Sequence, residues 1–184
     1  AWYLTSEDYR PYKLNITTKE SVYLAAPIDK RMRCIITPTN TALPKAGGVA
    51  LIGSFSSGDP DNSPCWVFNL SGTGHITGET CSHEIGHTMG LAHDGLNDGT
   101  QYYMGNTIWA PIMGNSYTKA MSQWSKGEYT DANNTENDIA IIGDLNGFCF
   151  RPDEAGNTIE EAGSLKMEGD KATVLAAKNY GIIA

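Results

Sequence analysis

The chain has 184 residues and carries 13 Lys and Arg against 21 Asp and Glu, a formal net charge of −8. That balance argues against a general nucleic-acid binder, which needs a basic face to neutralise phosphates. It also disfavours docking on an anionic membrane surface. Hydrophobic residues at 40% suffice for a buried core, while no apolar run approaches the roughly 18 residues that cross a bilayer.

In chain order, residues 1–10 read as the end of a helix halted by Pro11. Residues 14–18 alternate and are β-branched, which predicts a short strand. A buried strand is expected over 32–37, ended by Pro38, and another over 47–55, whose glycines allow close approach of a second backbone. A fourth strand follows over 65–69. From 77 to 90 the pattern turns helical, with Ile85 and Met89 four apart and Gly90 suited to a left-handed end. Residues 94–133 are turn-rich, and a loop of that length in a compact domain usually carries function. A second helix is expected over 135–145, with Thr135 as its cap and Ile139 and Ile142 three apart. Ala1-Trp2-Tyr3-Leu4 lacks the basic and apolar regions of a signal peptide, so any such segment is absent or already removed. There is no internal repeat.

Cys34, Cys65, Cys81 and Cys149 form no Cys-x-x-Cys pair. An even, widely spaced set predicts two disulfides in an oxidising compartment, with three pairings open.

One segment concentrates chemistry: His83-Glu84-Ile85-Gly86-His87-Thr88-Met89-Gly90-Leu91-Ala92-His93-Asp94. His83 and His87 lie one helical turn apart and project from one face. Gly90 lets the chain leave the helix sharply and bring His93 round. Three imidazoles with a fourth position open is the donor pattern of a catalytic zinc centre. Glu84, directly after the first histidine, can reach a water beside the ion and serve as general base, then general acid. Three of the four histidines fall within these residues, which a chance scatter of surface histidines does not explain. His75 reads instead as a solvated loop side chain.

The sequence His83-Glu84-x-x-His87-x-x-Gly90-x-x-His93 resembles the metzincin zinc motif, and Asp94 resembles its adamalysin/reprolysin branch. Pro111-Ile112-Met113-Gly114 is similar to the family's methionine-containing turn, which implies that Met113 sits beneath the imidazoles. Gly48-Val49-Ala50-Leu51-Ile52-Gly53 is similar to the branch's edge strand over the cleft. The resemblance implies an α+β fold: a twisted mixed sheet with the active-site helix, and an irregular lower subdomain closed by a C-terminal helix. It covers residues 1–147, with the upper subdomain over residues 1–90 and the lower one over residues 91–147. Residues 148–184 are then an extension or the start of a linker. Metzincins begin with a strand before their first long helix, and here that strand is expected to be missing, supplied by another segment, or replaced. The tyrosine that binds metal in astacins and serralysins has Asn115 at its position.

What the resemblance implies about activity is a secreted, extracellular or periplasmic zinc endopeptidase that cuts polypeptide. The candidate substrate contacts are Gly48, Val49, Ala50 and Leu51 on the edge strand and Asn115 and Tyr117 on the leaving-group side. An edge strand without substrate is the competing reading of the former. An inhibitory pro-segment is a candidate partner, and calcium a second candidate ion. The oxygen-rich run 131–138 lacks EF-hand spacing and reads better as helix capping. Tyr102, Tyr103, Trp109 and Trp124 read as filling of the lower subdomain rather than ligand contacts. Asn15-Ile16-Thr17, Asn69-Leu70-Ser71 and Asn133-Asn134-Thr135 match the glycosylation triplet. Competing functions are a non-catalytic interaction module that keeps a zinc site, and a zinc amidase acting on cell-wall peptide.

Overall fold

The computed structural model describes residues 1–41, 43–70, 72–152, 158–162, 164 and 167–172. Contacts divide the chain into residues 1–149 and 150–184. Ser71, the end of one glycosylation triplet, and most of the 148–184 extension lie outside the described residues.

In the first unit, helices α1 (Trp2–Asp8) and α2 (Glu20–Ala25) precede a three-stranded sheet of β1 (Cys34–Thr37), β2 (Gly48–Val49) and β3 (Cys65–Phe68). The strand order is β1-β3-β2, with β1 parallel and β2 antiparallel to β3, so the sheet is mixed and β2 is an edge. Helix α3 (Gly74–Thr88) packs against the sheet and α1. Further along the chain lies a parallel pair, β4 (Trp109–Pro111) and β5 (Met121–Gln123). The final helix is α4 (Asp138–Ala140), which runs into a π-helical turn at Ile141–Leu145. This α+β arrangement, a mixed sheet with the motif-bearing helix across it, is the one expected. The second unit contains a short hairpin, β6 (Met167–Glu168) with β7 (Lys171–Ala172).

Helix α3 is buried from Thr77 to Thr88 on every side. Its polar residues are tolerated because they find partners. Thr77 Oγ1 donates to Asn69 at 2.9 Å, Thr80 to the Ile76 carbonyl at 2.8 Å, and Thr88 to the Ile85 carbonyl at 2.7 Å. The crossing with α1 is close because Gly78 has no side chain: a Cβ there would stand 3.1 Å from the Ala1 carbonyl oxygen and from Leu4 Cβ. Tyr9 then reaches the Ser82 carbonyl at 2.8 Å, and Trp124 donates to the Asp8 carbonyl at 2.9 Å. The core beneath α3 gathers Tyr9, Tyr12, Phe55, Cys65, Ile85, Met89, Leu91, Ile112, Met113 and Ile142. Each aliphatic side chain buried there contributes about 1.5–3 kcal/mol.

Several local expectations are corrected. Residues 14–18 form no strand. Leu14 and Ile16 do pack against the core, but Trp2 Nε1 takes the Ile16 carbonyl at 2.9 Å and Thr17 Oγ1 takes the Lys19 amide at 3.1 Å. The strand expected over 47–55 shrinks to Gly48–Val49, because Gly53 turns the chain at φ 73° and Leu51 and Ile52 point outward. Helix α3 begins at Gly74, so His75 lies in its first turn and not in a loop. The final helix is capped by Asn137, which accepts from the Ala140 amide at 3.1 Å, and not by Thr135. The four cysteines are free thiols rather than partners in two disulfides. Cys34 and Cys65 face each other in register on β1 and β3, Cys81 is buried and Cys149 is exposed.

Candidate active site

The helical spacing sets His83 and His87 side by side on α3, with ring centroids 4.7 Å apart. The helix then stops: Gly90 takes φ 109°, and the Leu91 amide bonds back to the Gly86 carbonyl at 3.1 Å. A residue with a Cβ resists that backbone. The reversal carries His93 to 4.6 Å from His87 and 5.2 Å from His83, again between ring centroids.

Hydrogen bonds on the far side of two rings fix which nitrogens face inward. His83 Nδ1 donates to the Ile112 carbonyl at 2.8 Å and His87 Nδ1 to the Leu91 carbonyl at 2.7 Å. A proton held at Nδ1 leaves Nε2 with a free lone pair, the arrangement metal-ligating histidines adopt. On the third ring, Gln101 Nε2 lies 3.3 Å from Nδ1 of His93. Burial, followed by the neighbouring His87, pushes the His83 imidazole down to about 3. The same two causes push His93 down to about 4, and His87 is lowered chiefly by burial. All three are therefore neutral at pH 7, as ligation requires.

One ligand nitrogen from each ring lies within 4.8 Å of the others, and the Nε2 atoms of His87 and His93 are 2.9 Å apart. Nitrogens around tetrahedral zinc stand about 3.3 Å apart at bond lengths near 2.05 Å. The three rings thus fit one divalent ion after small adjustments, and imidazole nitrogen is a usual donor to zinc.

Glu84 is 6% exposed, and burial pushes its carboxyl up to about 8; a cation held by the imidazoles would pull it back toward ionisation. The backbone of β2 leans directly on this carboxylate at Gly48. Met113 is fully buried, with Sδ 2.8 Å from where a Cβ on Gly86 would lie, between the two helical histidines. Its turn is tied into the site twice, through the Ile112 carbonyl on His83 and through the Met113 carbonyl, which accepts from the Asp94 amide at 3.0 Å.

Around these groups lies a cleft of about 460 Å³, lined by His83, Glu84, His87 and His93 and by Gly48, Val49, Ala50, Asn115 and Tyr117 of the expected substrate contacts. Leu51 is absent from the lining and is 62% exposed. Tyr102, read from the sequence as subdomain filling, instead lines the cleft with its ring centroid 4.4 Å from that of His93. No period or motif marks it, since the turn-rich loop that carries it has neither. Tyr103, Trp109 and Tyr129 instead pack on one another, Tyr103 and Tyr129 stacked at 4.1 Å. The run 131–138 serves backbone: Asn133 accepts from the Gly95 amide at 2.9 Å and Glu136 from the Ala92 amide at 2.6 Å.

The family model described as "Metallo-peptidase family M12B Reprolysin-like" matches residues 6–94. Two relatives from Gloydius brevicauda, zinc metalloproteinase-disintegrin-like brevilysin H2a and H2b, are each 36% identical to the chain over 50 residues. That stretch is 27% of this chain and 12% of each relative, so the matched segment spans a small fraction of their length. No solved structure matches. With its mixed sheet and converging imidazoles, this chain is similar over residues 6–94 to the reprolysin-like metallopeptidases.

Proposed function

We propose that this chain is the catalytic portion of a secreted zinc endopeptidase with His83, His87 and His93 as metal ligands and Glu84 as the proton-transferring residue. The observation that carries the reading is the convergence of three neutral imidazoles beside a buried carboxylate in one cleft. A zinc ion held there supplies Lewis-acid polarisation of the scissile carbonyl and makes an attacking water acidic. Glu84 takes the proton released by that water on its carboxylate and hands it to the departing amide nitrogen, so one residue serves as base and then acid.

The edge strand β2 offers an extended peptide a row of backbone partners, which binds main chain with little demand on sequence. Gly48 allows that main chain to lie against Glu84, and Val49 and Ala50 continue the rail. Asn115 and Tyr117 bound the side of the cleft that would receive the leaving-group side chain. Secretion is supported by the family resemblance. Among the described residues no helix is long and apolar enough to cross a membrane.

The test is metal analysis of the purified protein together with end-sequencing of a digest of denatured mixed protein, run beside cell-wall peptide. One zinc per chain and new amino termini from protein substrates are expected. Metal-loaded protein that releases none, or that cuts only cell-wall peptide, would overturn the reading.

A further inference from the structure

Proton transfer through Glu84 leaves a second buried acid on the same helix unused. Glu79 lies one turn ahead of His83 on α3 and is 3% exposed. A carboxylate that deep is costly unless it is fully hydrogen-bonded. Its hydroxyl partners come from one direction. Ser116 Oγ donates to Oε2 in a very short contact, and Ser122 Oγ donates to Oε1 at 3.0 Å. On its own helix, His75 Nε2 stands 4.0 Å away.

Both serines belong to the segment that follows Met113 and carries Asn115 and Tyr117 into the cleft. Ser116, 2% exposed, lies between those two lining residues and faces the opposite way, into the helix. The next helical residue makes a parallel link, with Thr80 Oγ1 3.2 Å from the Tyr117 hydroxyl. That hydroxyl in turn lies 3.6 Å from where a Cβ on Gly47 would be, so the phenol spans from the segment toward the start of β2. The helix that carries the ligands therefore holds the far wall of the cleft through Glu79, four residues before the first of them.

We infer that Glu79 is a positioning residue: by anchoring Ser116 and Ser122 it fixes the distance between the ligand-bearing helix and the wall at Asn115–Tyr117, and so selects the side chain accepted just after the scissile bond. The substrate half of this statement rests on the endopeptidase reading; the anchoring half does not. Two hydroxyls held by one buried carboxyl tie α3 to the wall at two points.

The experiment compares wild type with Glu79→Ala, Glu79→Gln and Ser116→Ala, by end-sequenced digests of a mixed protein substrate and by amide hydrogen exchange. In Glu79→Ala the preference between large and small residues after the cut is expected to fall about tenfold, the scale on which pocket contacts discriminate. Ser116→Ala shifts the same preference in the same direction, and Glu79→Gln, which keeps an acceptor oxygen, restores most of it. Exchange accelerates at amides of residues 115–122 in Glu79→Ala, while those of 83–94 keep their protection. A folded Glu79→Ala with unchanged preference and unchanged exchange would overturn the inference. If that variant does not fold, Ser122→Ala carries the same expectations, and an unchanged preference and exchange there overturns it equally. If wild type cuts nothing, the endopeptidase reading fails alone and the exchange comparison still decides the anchoring.

Discussion

A Cβ on Gly48 would stand 2.5 Å from Oε1 of Glu84 and 2.7 Å from its Cγ. No real side chain tolerates that, so the edge strand and the Glu84 carboxylate share one small space. Gly48→Ala must displace either β2 or Glu84. A shift of about 1 Å at a reacting group can cost about 100-fold, and activity on protein substrates is expected to fall on that scale. Zinc content should stay near wild type, because the three ligands are untouched. Near-normal kcat/KM in Gly48→Ala would show that the contact is not critical.

Glu84→Gln keeps the shape of the side chain and removes its ability to accept a proton. The expected loss in kcat is about 10²–10⁴-fold, the usual contribution of a general base. Metal stoichiometry and the thermal midpoint should change little, which separates lost chemistry from lost fold. Retention of most turnover would mean that another group moves the proton.

Two buried carboxyls outside the ligand set make stability depend on pH. Burial raises Asp8 to about 7 against an opposing Ser82 hydrogen bond, and burial with nearby Asp94 and Glu136 raises Asp138 to about 8. The folded state thus binds these protons more tightly than the unfolded chain, whose carboxyls titrate near 3.9. Their contribution is full below about pH 4 and is lost as pH rises through 7 to 8. The metal-saturated protein should show a falling thermal midpoint between pH 5 and 9, about 2–4 °C for each kcal/mol lost. Asp138→Asn, which keeps an acceptor for the Ser125 amide bonded at 2.9 Å, should flatten that slope. An unchanged slope in this variant would assign the pH dependence elsewhere.

Gly78→Val tests the packing of α1 on α3. The added atoms meet the Ala1 carbonyl and Leu4 at 3.1 Å, and overpacking of this kind costs about 1–3 kcal/mol. Chemical denaturation should report that loss with an unchanged slope in denaturant, since the surface exposed on unfolding stays the same. The histidine triad lies further along the helix, so zinc binding should persist.

The heart of the site was legible in the sequence because its geometry is local. His83, Glu84, His87, Gly90 and His93 lie within eleven residues, and helical pitch plus one left-handed glycine suffices to aim them at a common point. What holds those rings comes from far along the chain. The acceptor on His83 is the carbonyl of Ile112, 29 residues away, and the wall behind the cleft hangs from Glu79 through Ser116 and Ser122. No period encodes such pairs.

The same division explains the misjudged elements. Alternation over 14–18 described a segment able to become a strand, yet a strand also needs a neighbour, and Trp2 takes the Ile16 carbonyl instead. The glycine-rich stretch after Gly47 did identify the edge strand, but Gly53 cut it to two residues. Tyr102 entered the cleft because the loop that carries it folds back over His93. The residues and spacing alone determined the histidine triad and its family resemblance, through backbone geometry acting over one or two helical turns. Only the tertiary structure decided what surrounds that set, because partners distant in sequence meet only once the whole chain has packed.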